Sequence, residues 1–154
     1  MPVYLIRHAH AVDADEDAAR PLSKRGEQQV RALAEFLGRS AAFQPDEFWH
    51  SPLLRSRQTA ELLARRLKLS APLVPVPGLE PEADPLVLAR RIKSATRSVA
   101  VVGHEPHLSA LASLLITGRA LPPSFVMKKC AALALEGIGE HWMVRWHVSP
   151  EGVA

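Results

Sequence analysis

Two histidines follow predicted strands at the point where a sheet presents functional groups. Arg7 and His8 come directly after the apolar run Val3–Ile6. His104 comes after a second apolar run, Val99–Val102, with one glycine between them. Short apolar runs of this kind are typical of strands that are buried in an α/β sheet. Because neighbouring parallel strands end at the same edge of such a sheet, we expect both histidines to lie at one rim.

A third element adds a second arginine to the same rim. Arg55 lies at the start of a predicted helix that directly follows the predicted strand Phe48–His50. Guanidinium groups bind phosphate through paired, planar hydrogen bonds, and histidine is either a neutral nucleophile or a protonated donor near pH 7. Histidine also forms covalent intermediates, and phosphoryl transfer mainly needs positioning and neutralisation of oxygens. The set therefore predicts an oxyanion pocket that is suited to phosphoryl transfer.

The elements that position these residues alternate along the chain. This alternation favours an α/β fold with a largely parallel sheet covered by helices on both faces. The proline-rich segment Pro72–Pro85 predicts a short edge strand and an extended loop, and Gly137 and Gly139 predict a hairpin turn. The other predicted strands span 2–7, 48–50, 98–102, 129–135 and 141–148, and the predicted helices span 23–38, 53–68, 85–94 and 107–117.

Length and composition limit the class of protein. The chain of 154 residues fits one domain, and its 47% hydrophobic and 23% charged residues are ordinary for a globular protein. Its apolar stretches fall short of the ~18 residues that a membrane span needs, and no signal-peptide pattern opens the chain. The single cysteine, Cys130, is predicted to be an inert residue of a core strand, and it indicates a reducing cytoplasm.

The charge balance gives little support to nucleic-acid binding. The net charge of +3 is small, aromatic residues make up 5% of the chain, and basic residues are not interleaved with aromatic ones. We expect no nucleic-acid or membrane partner, and the sequence leaves the oligomeric state open. A metal site built from His8, His10 and His104 is the less favoured interpretation, because arginine beside the ligands would repel a cation.

Four segments, taken together, resemble a known family. Arg7-His8-Ala9, Pro21–Gln28, Ser51–Ala60 and Val102-Gly103-His104 occur in this order. Together they resemble the histidine phosphatase superfamily. The form Gly-His-Glu-Pro-His-Leu at Gly103–Leu108 and the short chain are similar to its small bacterial branch, the SixA-type phosphohistidine phosphatases. The resemblance implies one domain over residues 1–154, a three-layer α-β-α sandwich with a mostly parallel central sheet, phosphoglycerate mutase-like.

The resemblance also implies roles for individual residues. His8 would take up the phosphoryl group, and water would then hydrolyse the resulting phosphohistidine. Arg7, Arg55 and His104 would hold the phosphoryl oxygens, and Arg20 would be a further phosphate or substrate contact. No metal or other cofactor is expected, since the arginines supply the positive charge.

The chain departs from the family pattern in two ways. Ala9 stands where many members have glycine, and alanine is small enough for the pocket to survive. Larger members use a carboxylate from an inserted segment as general acid, and this chain is too short for that insertion. Glu80, in the proline-rich loop, is the first candidate for the proton donor, and Glu105 is the second. A phosphohistidine substrate has a good leaving group once its nitrogen is protonated, so a strong enzymic acid is not required.

The sequence leaves three possible functions open. Without a large lid the pocket should be accessible, which favours phosphohistidine carried by a protein. The first alternative is the same chemistry on small phosphorylated metabolites or nucleotides. The second is a non-catalytic module that binds a phosphorylated partner, and the presence of His8 argues against it, because binding alone needs only the arginines.

Overall fold

A six-stranded mixed sheet forms the centre of the molecule. The computed structural model describes the backbone of residues 1–153 and the side chains of residues 1–151. The order across the sheet is β3-β2-β4-β1-β5-β6, with β3, β2, β4 and β1 mutually parallel and β5 antiparallel to both β1 and β6. The prediction of a mostly parallel central sheet is confirmed. The strands are β1 (Pro2–Arg7), β2 (Glu47–His50), β3 (Leu73–Pro75), β4 (Val99–Gly103), β5 (Ala132–Ile138) and β6 (His141–Val148).

Helices cover both faces of the sheet and complete the three-layer sandwich. In the described part of the chain, none of them combines the length and apolar character needed to cross a membrane. A short 3-10 helix, Asp17–Ala19, lies in the loop between β1 and the first helix. The α-helices are α1 (Lys24–Leu37), α2 (Leu54–Arg66), α3 (Pro85–Ser94), α4 (His107–Thr117) and α5 (Pro150–Val153).

The alternation of side chains along β1 divides the core into two clusters. Val3 and Leu5 pack with residues of α3 and α4 on one face. Tyr4 and Ile6 pack with residues of α1 and α2 on the other. A strand that is covered on both faces needs apolar residues at successive positions, which explains the continuous apolar run before Arg7.

The turn before β5 differs from the predicted strand 129–135. β5 begins at Ala132, because Lys129 and Cys130 lie in a turn and Cys130 has a φ of 62°, in the left-handed region. The prediction that Cys130 belongs to a core strand is therefore wrong, although the side chain is buried. Burial raises the pKa of its thiol to about 12, which keeps it protonated. Gly137 lies within β5, and the hairpin turns at Gly139, where φ is 62°.

The start of α1 fixes the segment that follows β1. The Ser23 hydroxyl accepts a hydrogen bond from the Gly26 N–H at 3.0 Å and caps the helix. A Cβ atom added to Gly26 would lie 2.0 Å from the His10 carbonyl oxygen, so no side chain fits there. Main chain therefore packs directly on main chain two residues after His8.

Candidate active site

His8 and His104 lie at the adjacent ends of two parallel strands. Arg7 of β1 pairs in register with Gly103 of β4, and the His8 N–H donates to the Gly103 carbonyl at 2.9 Å. The two imidazole ring centroids are 5.0 Å apart. The pairing of β1 with β4 thus brings together two histidines that are far apart in the sequence.

The ring of His8 is held with one nitrogen free. Its Nδ1 lies 2.7 Å from the carbonyl oxygen of Ala9. A carbonyl only accepts, so Nδ1 carries the proton and Nε2 keeps its lone pair. Burial, together with the charges of Arg55, Arg7 and Lys129, lowers the pKa of His8 to about 4 against the opposing effect of the hydrogen bond to Ala9. His8 is therefore neutral at pH 7, with a free nucleophilic nitrogen.

Arg55, at the start of α2, is buried and held by the 3-10 helix. Its guanidinium donates to the Asp17 carbonyl oxygen at 3.0 Å and to Asp17 Oδ2 at 3.3 Å. Arg20 donates to the other carboxylate oxygen, Oδ1, at 3.3 Å. Burial works to raise the pKa of Asp17, but Arg55 and Arg20 together lower it below its ordinary value. Asp17 therefore stays ionised and brings both arginines to one side of the site.

Arg7 is held in a different way, by a carbonyl of the segment before β5. Its Nη1 donates to the carbonyl oxygen of Met127 at 3.0 Å. Burial lowers the pKa of Arg7, while the nearby charge of Glu105 raises it. An arginine pKa starts far above neutrality, so the group remains a cation.

His104 is held by a buried hydroxyl group. Its Nε2 lies 2.7 Å from Ser51 Oγ. Burial, together with the proximity of His8 and Arg55, lowers the pKa of His104 to about 3. His104 is therefore neutral at pH 7, like His8.

Three buried nitrogens near His8 have no hydrogen-bond partner among the described residues. They are Nε of Arg7, Nε of Arg55 and Nδ1 of His104. Buried polar atoms of folded proteins are nearly always hydrogen-bonded, so unpaired ones need an explanation. A phosphoryl group supplies oxygens that would accept from such nitrogens. The arrangement can therefore bind a tetrahedral oxyanion in front of His8 Nε2.

The two candidate proton donors are both engaged as acceptors. Both carboxylate oxygens of Glu105 bond to Ser109, one to its N–H at 2.8 Å and the other to its hydroxyl. Glu80 Oε2 accepts from the Gly78 N–H at 2.8 Å. The loop that carries Glu80 reaches the rim, since the Leu79 carbonyl oxygen lies 3.7 Å from the position of a Cβ on Gly103.

Three supporting residues have no role in the sequence-based prediction. Thr59 Oγ1 accepts from the Ala9 N–H at 3.0 Å and donates to the Arg55 carbonyl at 2.8 Å, so it ties the segment after His8 to α2. Ser51 and Thr59 both lie in the Ser51–Ala60 motif, which is a usable signal. Asp17 has no such signal, because it lies in a loop with several similar carboxylates.

Comparisons with known proteins identify the class. The family described as histidine phosphatase superfamily (branch 1) matches residues 3–80. The chain belongs to the histidine phosphatase superfamily and is an enzyme of that class.

Within this class the chain is similar to SixA proteins. It is 30% identical over 154 residues to the phosphohistidine phosphatase SixA of Escherichia coli (strain K12), which covers 97% of this chain and 94% of that protein. A structure of the protein histidine phosphatase SixA complexed with tungstate covers 100% of both chains, with a TM-score of 0.90 and 26% identity. A protein of Picosynechococcus sp. (strain ATCC 27264 / PCC 7002 / PR-6) is 43% identical over 67 residues, which are 42% of this chain and 40% of that protein.

Proposed function

We propose that this phosphatase hydrolyses phosphohistidine in proteins, without a metal ion, by passing the phosphoryl group to Nε2 of His8. The observation that carries the proposal is a set of three nitrogens, on Arg7, Arg55 and His104, that have no partner among the described residues and lie beside a neutral His8. The arginines supply the positive charge that a metal would otherwise provide. Arg20, linked to Arg55 through Asp17, is a further contact for the substrate.

The first step moves the phosphoryl group onto the enzyme. The lone pair on His8 Nε2 attacks phosphorus and forms a P–N bond, while the P–N bond to the substrate imidazole breaks. That electron pair returns to the substrate nitrogen. The other nitrogen of the substrate ring already carries a proton, so the departing ring is neutral. Arg7, Arg55 and His104 donate hydrogen bonds to the phosphoryl oxygens throughout.

The second step returns the enzyme to its starting state. Water attacks phosphorus, the P–N bond to His8 breaks, and its electron pair returns to Nε2. Both protons of the water remain on the product, which leaves as dihydrogen phosphate. His8 regains its neutral form, with the Nδ1 proton still bonded to the Ala9 carbonyl. Atoms and charges balance over both steps without an enzymic acid.

The surroundings of the carboxylates support this choice of substrate. Glu105 uses both oxygens on Ser109, and Glu80 uses one on Gly78. A phosphate ester of an alcohol would leave as an alkoxide and needs a proton, whereas a protonated phosphoimidazole does not. The link between β3 and α3, residues 76–84, is short and leaves little chain for a lid. The Escherichia coli relative is named a phosphohistidine phosphatase, which agrees with the same choice.

Two further parts of the proposal concern the whole chain. We take residues 1–154 to be one domain, because both core clusters share the central sheet. We place the enzyme in the cytoplasm, because its single cysteine is a buried thiol.

The test compares substrates and variants. The wild-type protein is incubated with a ³²P-labelled phosphohistidine protein and with a panel of sugar phosphates and nucleotides, in the presence and absence of EDTA. We expect rapid release of phosphate from the phosphohistidine protein, unaffected by EDTA, and acid-labile label on the enzyme. His8→Ala should abolish both signals, whereas the control His141→Ala, on the exposed end of β6, should retain them.

Three results would contradict the proposal. Hydrolysis by His8→Ala at the wild-type rate would show that His8 is not the nucleophile. Loss of activity in EDTA would show that the enzyme needs a metal ion. A strong preference for a sugar phosphate or nucleotide would assign the enzyme to small metabolites.

A further inference from the structure

We infer that Ser51 is a positioning residue that fixes the tautomer of His104, so that its Nδ1 carries the proton and donates to the phosphoryl group. The inference deepens the proposed function and rests on it for the identity of the ligand. The tautomer itself is a property of the free enzyme, and it can be measured without any substrate.

The hydroxyl of Ser51 has two neighbours among the described residues. Its oxygen accepts from the Leu53 N–H at 3.1 Å, and it lies 2.7 Å from His104 Nε2. The Leu53 bond uses a lone pair of the oxygen and leaves the hydroxyl proton free. Only His104 Nε2 remains to accept that proton within this set.

The two possible directions of the Ser51–His104 bond have different consequences. If Ser51 donates to Nε2, its proton is satisfied, and the neutral ring must carry its own proton on Nδ1. If His104 donates instead, the Ser51 proton is buried without an acceptor, and Nδ1 presents a lone pair. A buried unsatisfied donor is unfavourable, and a lone pair would repel phosphoryl oxygens. The first direction avoids both penalties.

Ser51 is held rigidly enough to impose this direction. It is fully buried where β2 ends, and its N–H donates to the Val102 carbonyl at 3.1 Å. Val102 lies in β4, two residues before His104, so the strand that leads to His104 also holds the backbone of Ser51. The hydroxyl therefore has little freedom to turn towards another partner.

The remaining ring nitrogen of His104 is the one that needs a ligand. Nδ1 is buried and has no partner among the described residues, and the ring lies 5.0 Å from that of His8. With Ser51 donating, a neutral histidine becomes a hydrogen-bond donor to the phosphoryl group. The site thus gains a donor without adding a positive charge next to the nucleophile.

The first experiment reads the tautomer directly. Long-range ¹H–¹⁵N correlation spectra of the ¹⁵N-labelled free enzyme at pH 7 distinguish a protonated ring nitrogen from a bare one, and His104→Gln identifies the signals. We expect the proton on Nδ1 in the wild type. In Ser51→Ala we expect a shift towards the Nε2-protonated form, which is the more stable tautomer of an unconstrained side chain. A wild-type spectrum with the proton on Nε2 would overturn the inference.

The second experiment measures the effect on turnover. Ser51→Ala should lower kcat for the phosphohistidine protein by about tenfold, because one donor is lost for part of the population. The matched control is Ser98→Ala, which removes another buried hydroxyl, one that donates to the Pro2 carbonyl at 2.7 Å and lies before β4, at the other end of that strand from His104. The control should keep both the wild-type tautomer and the wild-type kcat. An unchanged tautomer and kcat in Ser51→Ala would contradict the inference.

The two proposals fail in distinguishable ways. The enzyme could prefer a different phosphorylated substrate. In that case the tautomer of His104, and the ratio of the Ser51→Ala rate to the wild-type rate, still test whether Ser51 positions His104. If the tautomer is wrong while phosphohistidine is hydrolysed through His8, only the inference about Ser51 fails.

Discussion

The two arginines near His8 differ in whether a carboxylate helps to hold them. Arg55 is held by Asp17 through both its backbone carbonyl and its side-chain carboxylate, and that side chain is 67% exposed in a 3-10 helix. Arg7 is held by a backbone carbonyl, that of Met127. Each arginine nevertheless leaves its Nε buried and unpartnered among the described residues. The Nε of each arginine is therefore left free in the same way, once with the help of a replaceable carboxylate and once with a main-chain carbonyl.

This difference separates what substitution can change from what it cannot. A point mutation can remove the carboxylate that holds Arg55, but no point mutation removes the carbonyl that holds Arg7. Asp17 also contacts Arg20, so its loss would affect two cations on one side of the site. The Arg55 side is consequently the adjustable half of the pocket.

Replacing either arginine tests whether the two sides are equal in the reaction. Arg7→Lys and Arg55→Lys should each lower kcat by about 10²–10³-fold, because lysine keeps the charge but loses the planar donor set. Steady-state kinetics with a phosphohistidine protein measures the effect. Arg57→Lys is the control, since Arg57 is exposed on α2 and pairs with Glu61 at 2.9 Å. A loss confined to one arginine would show that only that side holds the transferring group.

Removing the carboxylate alone should affect only the Arg55 side. Asp17→Asn keeps the backbone contact to Arg55 but removes the negative charge, so we expect kcat/KM to fall by about tenfold. The control is Asp15→Asn, which neutralises an exposed carboxylate in the same loop. Equal kcat/KM values for the two variants would mean that the backbone carbonyl alone is sufficient to hold Arg55.

Arg20 should have a smaller effect, which acts on binding. It contacts Asp17 and the Val12 carbonyl, and its side chain is partly exposed. Arg20→Ala should raise KM by about threefold with little change in kcat, as expected for a partly screened charge. A fall in kcat without a change in KM would instead show that Arg20 stabilises the transition state.

Arg7 and Arg55 should affect the pH dependence of stability in the same way, because each places a positive charge near His8. In the unfolded chain, His8 and His104 protonate near pH 6.5, whereas in the folded chain their pKa values are about 4 and about 3. Between these values the unfolded state binds more protons, so the free energy of unfolding falls as the pH falls from about 6.5 to 4. Urea titrations should show a shallower fall in His8→Ala and the wild-type slope in Arg7→Lys and Arg55→Lys, which keep the charge. A changed slope in only one lysine variant would show that the two sides differ in charge effect as well.

The strands that carry the site can be predicted from the sequence because their signals are local. β4, and β1 up to Arg7, are apolar throughout, since each is covered on both faces by helices. The placement of His8 beside His104 follows from one topological rule for parallel strands. The histidine and arginine residues of the motifs then indicate phosphoryl transfer.

The support of Arg55 and the turn before β5 could not be predicted, because they depend on contacts between distant segments. Asp17 lies in a run of similar carboxylates, and only the folded chain shows which of them meets Arg55. The predicted strand 129–135 begins too early, because the left-handed turn at Cys130 uses no glycine. The Cys130 N–H donates to both the Arg7 and the His8 carbonyls, at 3.1 Å each, so this turn takes the place of further strand pairing at the end of β1.

The direct contact between Gly26 and His10 has a consequence for how the sequence can vary. A Cβ on Gly26 would meet the His10 carbonyl oxygen at 2.0 Å, so the spacing between α1 and the nucleophile segment is set by backbone atoms. Side chains on the exposed face of α1 play no part in that spacing. The outer surface of this helix can therefore acquire new residues, for new partners or new solubility, while the nucleophile keeps its position.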